Sequence, residues 1–332
     1  MRAPGRRLLL QAAATSLAAP YLIGSARAAV RQMKMTLADT VASPVFPICQ
    51  RFAENVKKRT NGAIDIHVYG AGQLGSQTNA LTSLQTGIID FVAHTTGYID
   101  TIIPQASVLD LPFVFRDTAM AEKVLDGEIG RTLFNHFPER GIYGLCWGHW
   151  GWRPVSTAAA TPMTHPEAMK GLKIRVQPGA IYAETYRIVG AVPVAIDLSE
   201  AYLAMSQGAV GAVELPMISM VANKYQEVVK IVTETNFVYN AGALMVGQKR
   251  MDGLPPEQQK AIRDAAADMA IDWRKSVAEA TTSAQGVLKA AGVQIVPADV
   301  EAYAKATRPI YDQFRPTIGN DLMDAILKQT GA

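Results

Sequence analysis

The stretch Gly70-Ala-Gly72-Gln-Leu-Gly75 has the glycine spacing that lets a backbone approach a dinucleotide pyrophosphate, with Asp90 at a strand end fifteen residues beyond the third glycine. A strand-like run precedes it and a helical one follows, so a helix N-terminus would face the phosphates. The loop follows the second strand of the chain, whereas that fingerprint belongs after the first. The plainer reading is a glycine-permitted turn into a helix that lines a cleft. His67, His94, His136, His149 and His165 show neither HxxxH nor HExxH spacing, and Cys49 and Cys146 stand far apart, so no zinc site is legible. No GxSxG elbow and no SxxK set occurs. The expectation is noncovalent chemistry, with no catalytic residue, no cofactor and no metal. An exported NAD(P)-dependent oxidoreductase using Gly70–Gly75 is the competing reading.

Whatever binds must be positioned by a folded core. The chain has 332 residues, enough for two domains at roughly 100–200 residues each, and its 49% apolar and 18% charged residues exclude intrinsic disorder. Its net charge of +3 does not indicate nucleic acid. Arg2, Arg6, Arg7 and Arg27 precede residue 29, and without them 28 basic residues face 29 acidic ones. Those arginines belong to a stretch that reads as a signal peptide over residues 1–28: a basic start, an apolar run from Leu8 to Ile23, and the exit Ala26-Arg27-Ala28. The run contains Gln11 and Pro20 and is shorter than the ~20 residues that span a bilayer, so cleavage near Ala28 and a periplasmic location are expected. Arg6-Arg7 leaves the twin-arginine and Sec routes both open. Cys49 and Cys146 are expected as buried free thiols, with a bridge as the alternative.

From Met33 the pattern alternates. Met33–Ala38 is strand-like, Val45–Arg59 helical, Ala63–Tyr69 strand-like, Ser76–Gln85 helical and Ile88–Val92 strand-like, an order that argues for a largely parallel sheet covered by helices. The alternation restarts at Leu172–Val176 after the Pro/Ala-rich stretch Arg153–Pro166, so two α/β lobes are expected. Between Pro255 and Ala291 apolar or small residues recur at Ile262, Ala266, Met269, Trp273, Val277, Ala280, Ala284 and Leu288. That spacing predicts one amphipathic helix of about 54 Å at ~1.5 Å per residue, long enough to touch both lobes. Export, two lobes and a tie between them describe a cleft protein with ligand between domains.

Gly151-Trp-Arg-Pro followed by His165-Pro-Glu-Ala-Met-Lys-Gly-Leu-Lys-Ile-Arg-Val resembles the signature of the TRAP-transporter solute-binding proteins, the DctP-like family. The resemblance continues through Leu109–Phe115, Gly190–Val194, Ser199–Val210 and Lys224–Val228, and it takes in Gly72–Gly75 and Gln85–Asp90. It implies a two-lobed, periplasmic-binding-protein-like α/β fold with a hinge: residues 29–152 plus 241–280 in one lobe, and 153–240 plus 281–332 in the other. It also implies a receptor that closes on an organic anion and hands it to a membrane permease. A monomer is expected, with the last helices open to a dimer contact. A receptor that reports to a sensor protein instead is not separable by sequence.

The resemblance implies that Arg175 carries the ligand, since a planar guanidinium presents two parallel N–H donors to a carboxylate. On its own Arg175 is only a polar residue alternating with Ile174 and Val176 on a strand, as well placed for solvent as for a cleft. Arg153 matches the family's second arginine and would touch the carboxylate or an adjacent oxygen. Trp150 and Trp152 would wall the pocket or belong to the core. Glu214 would bind a ligand hydroxyl or pair with a structural cation. Leu215 stands where the family often has a ligand-contacting Asn, and Leu198 where Phe is common. An unpaired hydroxyl costs ~1–3 kcal/mol, so Leu215 turns the expectation away from sugar acids. The expected ligand is a small monocarboxylate or keto/hydroxy acid, aromatic ones included, against apolar walls of Trp150, Trp152, Phe113, Leu198, Leu215 and Met217. A C4-dicarboxylate is the close competitor, and a sugar acid is the remaining alternative.

Overall fold

The computed structural model describes residues 30–332, so the expected export segment and its cleavage point lie outside the described residues. Met33 and Met35 are fully buried on Arg31–Thr36 (β1), which pairs in parallel with Ile64–Tyr69 (β2) on one side and Phe91–Thr95 (β3) on the other. Between β1 and β2 the helix Val45–Arg59 turns Val45, Ile48, Cys49, Phe52 and Val56 inward at helical spacing, and its last turn carries Lys57, Lys58 and Arg59, as the helix dipole favours. The helix Gln77–Thr86 starts where the Ser76 hydroxyl accepts the Asn79 amide and stops at Gly87, whose φ of 79° ends it.

Two expectations need correction. The third strand begins at Phe91 rather than Ile88: Ile88 is 65% exposed, and the Asp90 carboxylate accepts the Lys34 amide (2.7 Å) and pairs with Arg250. The sheet is mixed rather than largely parallel, in the order β2-β1-β3-β10-β4. Tyr239–Gly247 (β10) runs antiparallel to both β3 and Ile142–Trp152 (β4).

The reason is connectivity, because β4 and β10 both cross between sheets. β4 passes through Arg153 and Pro154 into Val155–Thr157 (β5) of the second sheet, and Ile231–Glu234 (β9) passes through residues 235–238 into β10. The second sheet has the order β11-β9-β5-β8-β6-β7, with Lys173–Val176 (β6), Val192–Ala195 (β7), Ala212–Glu214 (β8) and Gln294–Pro297 (β11). The Arg153 amide donates to the Val238 carbonyl (3.1 Å), so the two crossings are bonded to each other.

The helix Pro256–Ala290 is the third tie, about 52 Å long at ~1.5 Å per residue. It packs on Val45–Arg59 and β4 at one sheet and on Met217–Ala222 and β11 at the other. Its Trp273 lies so close to Gly148 that a Cβ there would come within 2.3 Å of the indole. The C-terminal helices Pro309–Ile318 and Asn320–Thr330 pack on Pro104–Asp110, and the first of them also on Ala180–Ile188.

Cys49 and Cys146 are buried and unbridged. Burial pushes both thiols up, Cys146 to about 12. Since the thiolate is the reactive form, the native protein at pH 8 is expected to leave both thiols untouched by Ellman's reagent and to release two equivalents on denaturation. Fast reaction of either thiol in the folded protein would contradict this packing.

Candidate functional site

Where the two sheets face each other, hydrogen bonds run straight across. Thr95 Oγ1 donates to Gln177 Oε1 (2.5 Å), the Gly179 amide to the Gly97 carbonyl (2.9 Å), Tyr182 OH to Asp110 Oδ1 (2.9 Å) and Arg175 Nη2 to Tyr98 OH (3.3 Å). The lobes are closed in this structure. Between them lies a cavity of about 20 Å³ lined by Asp39, Gln77, Thr95, Tyr98, Trp150, Arg153, Arg175, Gln177, Leu198, Leu215, Ser219 and Asn240.

Arg175 reaches the cavity because β6 lies inside the second sheet, between β7 and β8, with its C-terminal end at the seam. The side chain is 1% exposed. Its Nε donates to the Ile196 carbonyl (2.8 Å) and its Nη2 to Tyr98 OH, so both of its hydrogen-bond partners are neutral oxygens. A guanidinium removed from water costs several kcal/mol unless its charge is met, and here nothing anionic bonds to it. Tyr98 shares the burial, which pushes its hydroxyl up to about 12, with Arg175 pulling it back and Asp197 raising it further.

Arg153 is as deeply buried, yet its situation is the opposite. Its Nε is bonded to Glu214 Oε2 and its Nη2 to the Glu214 carbonyl (2.7 Å), while Glu214 Oε1 accepts the Gln177 amide (3.3 Å). The Tyr182 ring lies 5.4 Å from the guanidinium carbon. Arg153 therefore lines the cavity with its charge already neutralised, and the pair fastens the β4–β5 crossing to the end of β8. Of the two roles left open for Glu214, these bonds match the structural one.

Trp150, Leu198 and Leu215 come to the cavity; Trp152, Phe113 and Met217 do not. Trp150 and Trp152 are two apart and would share a strand face, but Gly151 between them has φ +95° and the β4–β10 ladder shifts register there, so their side chains part. Trp152 donates to Thr118 Oγ1 (3.2 Å) and packs on Tyr239. Phe113, held at φ 59° by its amide bond to the Phe237 carbonyl, packs on Phe237.

Sequence reasoning missed Asp39, Gln77, Thr95, Tyr98, Gln177, Ser219 and Asn240. Asp39 is 4% exposed and lies just beyond β1, at the carboxyl end of a parallel strand, where α/β folds place ligands. That position was its one available signal. Trp150 Nε1 donates to both Asp39 oxygens (3.1 and 3.0 Å) and Ser43 Oγ to Oδ1 (2.7 Å). Burial raises the carboxyl's pKa, and those hydrogen bonds hold it partly down.

The Gly70–Gly75 loop serves the same corner. A Cβ at Gly70 would meet the Asp39 carbonyl at 2.8 Å and the Phe46 ring at 2.9 Å, and the Ala71 amide donates to that carbonyl (2.7 Å). The loop follows β2, the edge strand, and its first glycine is explained by contact with the Asp39 backbone, so the dinucleotide reading is not favoured.

A model of the bacterial extracellular solute-binding proteins of family 7 matches residues 38–317. The C4-dicarboxylate-binding periplasmic protein DctP of Rhodobacter capsulatus is 30% identical over 286 residues, 84% of this chain and 85% of that protein. Among solved structures, the sugar acid binding protein DctPAm of Advenella mimigardefordensis, in complex with galactonate, is similar at a TM-score of 0.88 and 25% identity, covering 91% of this chain and 98% of that one. A TRAP periplasmic solute-binding protein from Polaromonas sp. JS666 bound to D-erythronate matches at a TM-score of 0.86 and 27% identity, covering 89% and 97%.

The contrast between the two arginines gives a measurable difference in the protein without ligand. Arg153→Ala strands the Glu214 carboxylate and is expected to lower unfolding stability by roughly 3–5 kcal/mol. Arg175→Ala removes two bonds to neutral oxygens together with an unmet charge, and is expected to change stability by no more than about 1 kcal/mol. Chemical denaturation of both variants checks this, and equal losses would contradict the assignment of roles.

Proposed function

The chain belongs to the bacterial extracellular solute-binding proteins of family 7, a family of receptors rather than enzymes, and on that premise we propose which acid it takes and how. It is a periplasmic solute receptor of a TRAP transporter, binding a small organic acid and delivering it to a membrane permease. In our reading the carboxylate of that acid is the missing counter-ion of Arg175. The observation that carries this is a guanidinium 1% exposed, at the seam of two closed lobes, bonded to a carbonyl and a hydroxyl and to no anion.

The cavity of about 20 Å³ has little more room than the ~10–15 Å³ that one water requires. An organic acid therefore enters only with the lobes apart, and closure excludes water around the new ion pair, where charge-assisted bonds are strongest. The moving bodies are residues 29–152 with 241–280 and residues 153–240 with 281–332. The crossings at 153–154 and 235–238 support that division with two adjustments: Tyr239–Gly247 lies whole in the first sheet and helix Asn320–Thr330 packs on Pro104–Asp110, so both go with the first body, while helix Pro309–Ile318, which packs on both Pro104–Asp110 and Ala180–Ile188, bridges the two. Export through a signal peptide cleaved near Ala28 fits the same receptor.

The ligand class inferred from the sequence is revised. Leu215 lines the cavity, but so do Gln77, Thr95, Gln177, Ser219 and Asn240, so the walls are polar where apolar ones were expected. Similar structures hold galactonate and D-erythronate, which are hydroxylated monocarboxylates. An acid of that kind is favoured over an aromatic or keto acid.

Titration calorimetry on ligand-free protein tests the role of Arg175. Arg175→Ala is expected to weaken binding by roughly 2–5 kcal/mol. Arg175→Lys keeps the charge, loses the fork, and is expected to fall in between. Affinity near that of the wild type in Arg175→Ala would rule out the guanidinium as the carboxylate's partner.

A further inference from the structure

Charge accounting in the cavity goes one step beyond a single carboxylate. Arg153 is neutralised by Glu214, which leaves Arg175 as the one uncommitted cation and Asp39 as the one uncommitted acid among the described residues that line the cavity. Asp39 and Arg175 do not bond to each other; Asp39 is held by Ser43 and Trp150, and Arg175 by Ile196 and Tyr98. Counted over its lining side chains the cavity is thus neutral, with its positive and negative groups held separately; Asp197, whose charge acts on Tyr98, lies just behind that lining. A monocarboxylate brings it to −1 and a dicarboxylate to −2, in a space from which closure has removed the screening water.

The acceptor inventory points the same way. A carboxylate offers about four lone-pair positions, and Asp39 engages one side-chain hydroxyl and one indole N–H shared between its two oxygens. Gln77, 8% exposed and lining the same cavity, has its Oε1 without any hydrogen-bond partner. Two acceptors lining one small cavity call for donors on the ligand, and a carboxylate has none.

We propose that Asp39 sets the ligand's charge and hydroxylation: together with Gln77 it accepts hydroxyl protons from a monocarboxylate whose head group lies on Arg175, and it repels any second carboxylate. This rests on the Arg175 reading above and names the substrate class of that site. It makes this receptor a poor binder of C4-dicarboxylates, although a relative 30% identical is named for binding them. Placement of Asp39 is enforced from three sides. The Trp150 indole and the Ser43 hydroxyl hold the carboxylate, while the Ala71 amide and the Gly70 contact hold its carbonyl. The discriminating oxygen atoms cannot swing aside without breaking that set.

The test uses the full mature chain, freed of co-purified ligand by unfolding and refolding, titrated with D-erythronate, D-galactonate, succinate, L-malate and L-serine. Wild type is expected to bind erythronate or galactonate at least about 100-fold more tightly than succinate and malate, since like charges in a closed interface cost several kcal/mol. Asp39→Asn keeps the shape and removes the charge, and is expected to narrow that ratio below about tenfold, chiefly by gaining succinate. Four results overturn the proposal: succinate or malate binding as tightly as the hydroxy acids, serine binding tightest through its ammonium, no binding of either hydroxy acid, or an unchanged ratio in a folded Asp39→Asn. Should that variant fail to fold, the wild-type ratio alone decides. Arg175→Ala in the same titrations separates the two ideas. If it leaves binding intact, the head-group assignment fails; if it abolishes binding while Asp39→Asn leaves the ratio unchanged, only the selectivity role of Asp39 fails.

Discussion

A guanidinium buried without an anion is the constraint around which this molecule is arranged. Arg175 is held at the seam by a carbonyl of its own lobe and a tyrosine hydroxyl of the other. Those bonds fix where its remaining donors point without cancelling its charge, so the guanidinium has no bonded counter-ion in the closed cavity. Arg153, one crossing away, shows what completion looks like: a carboxylate, a carbonyl and an aromatic face meet its charge. On the proposed reading, two arginines of similar burial divide the work, one tying the hinge region together and the other reserved for the solute.

The rest of the fold serves the repeatability of that seam. Two strands cross between the sheets and are bonded to each other where they cross, and the helix Pro256–Ala290 spans both bodies with Trp273 wedged against Gly148. Such ties fit a hinge motion, and the side chains bonded across the seam, Thr95 with Gln177 and Tyr98 with Arg175, would be the ones that meet on closure. The glycine loop after β2, whose spacing suggests phosphate binding, turns out to brace the backbone of Asp39.

Much of this was legible in the sequence where local physics decides. The helix at Val45–Arg59 and the long helix at Pro256–Ala290 follow from apolar spacing that only one periodicity satisfies. The antiparallel pairing of β4 and β10 was not legible, because a strand's partner is set by where the chain returns, some ninety residues later. Which of the two readings held for Trp152, pocket wall or core, was not legible either, because a single glycine at φ +95° undoes the two-residue alternation that a sequence reader must assume and turns it from the cavity. Arg175 was readable only through its motif; periodicity put it on a strand and could not say which face meets a cleft. Asp39 carried no pattern of its own, since its role comes from Trp150, more than a hundred residues away.

The most direct measurement is a crystal structure of the protein grown with D-erythronate or D-galactonate. The carboxylate is expected within about 3 Å of the Arg175 guanidinium nitrogens, at the length of a charge-assisted hydrogen bond, with Arg153 still paired to Glu214. A ligand whose carboxylate lies on Arg153, or which leaves Arg175 bonded only to Ile196 and Tyr98, would contradict the central role given to that buried charge.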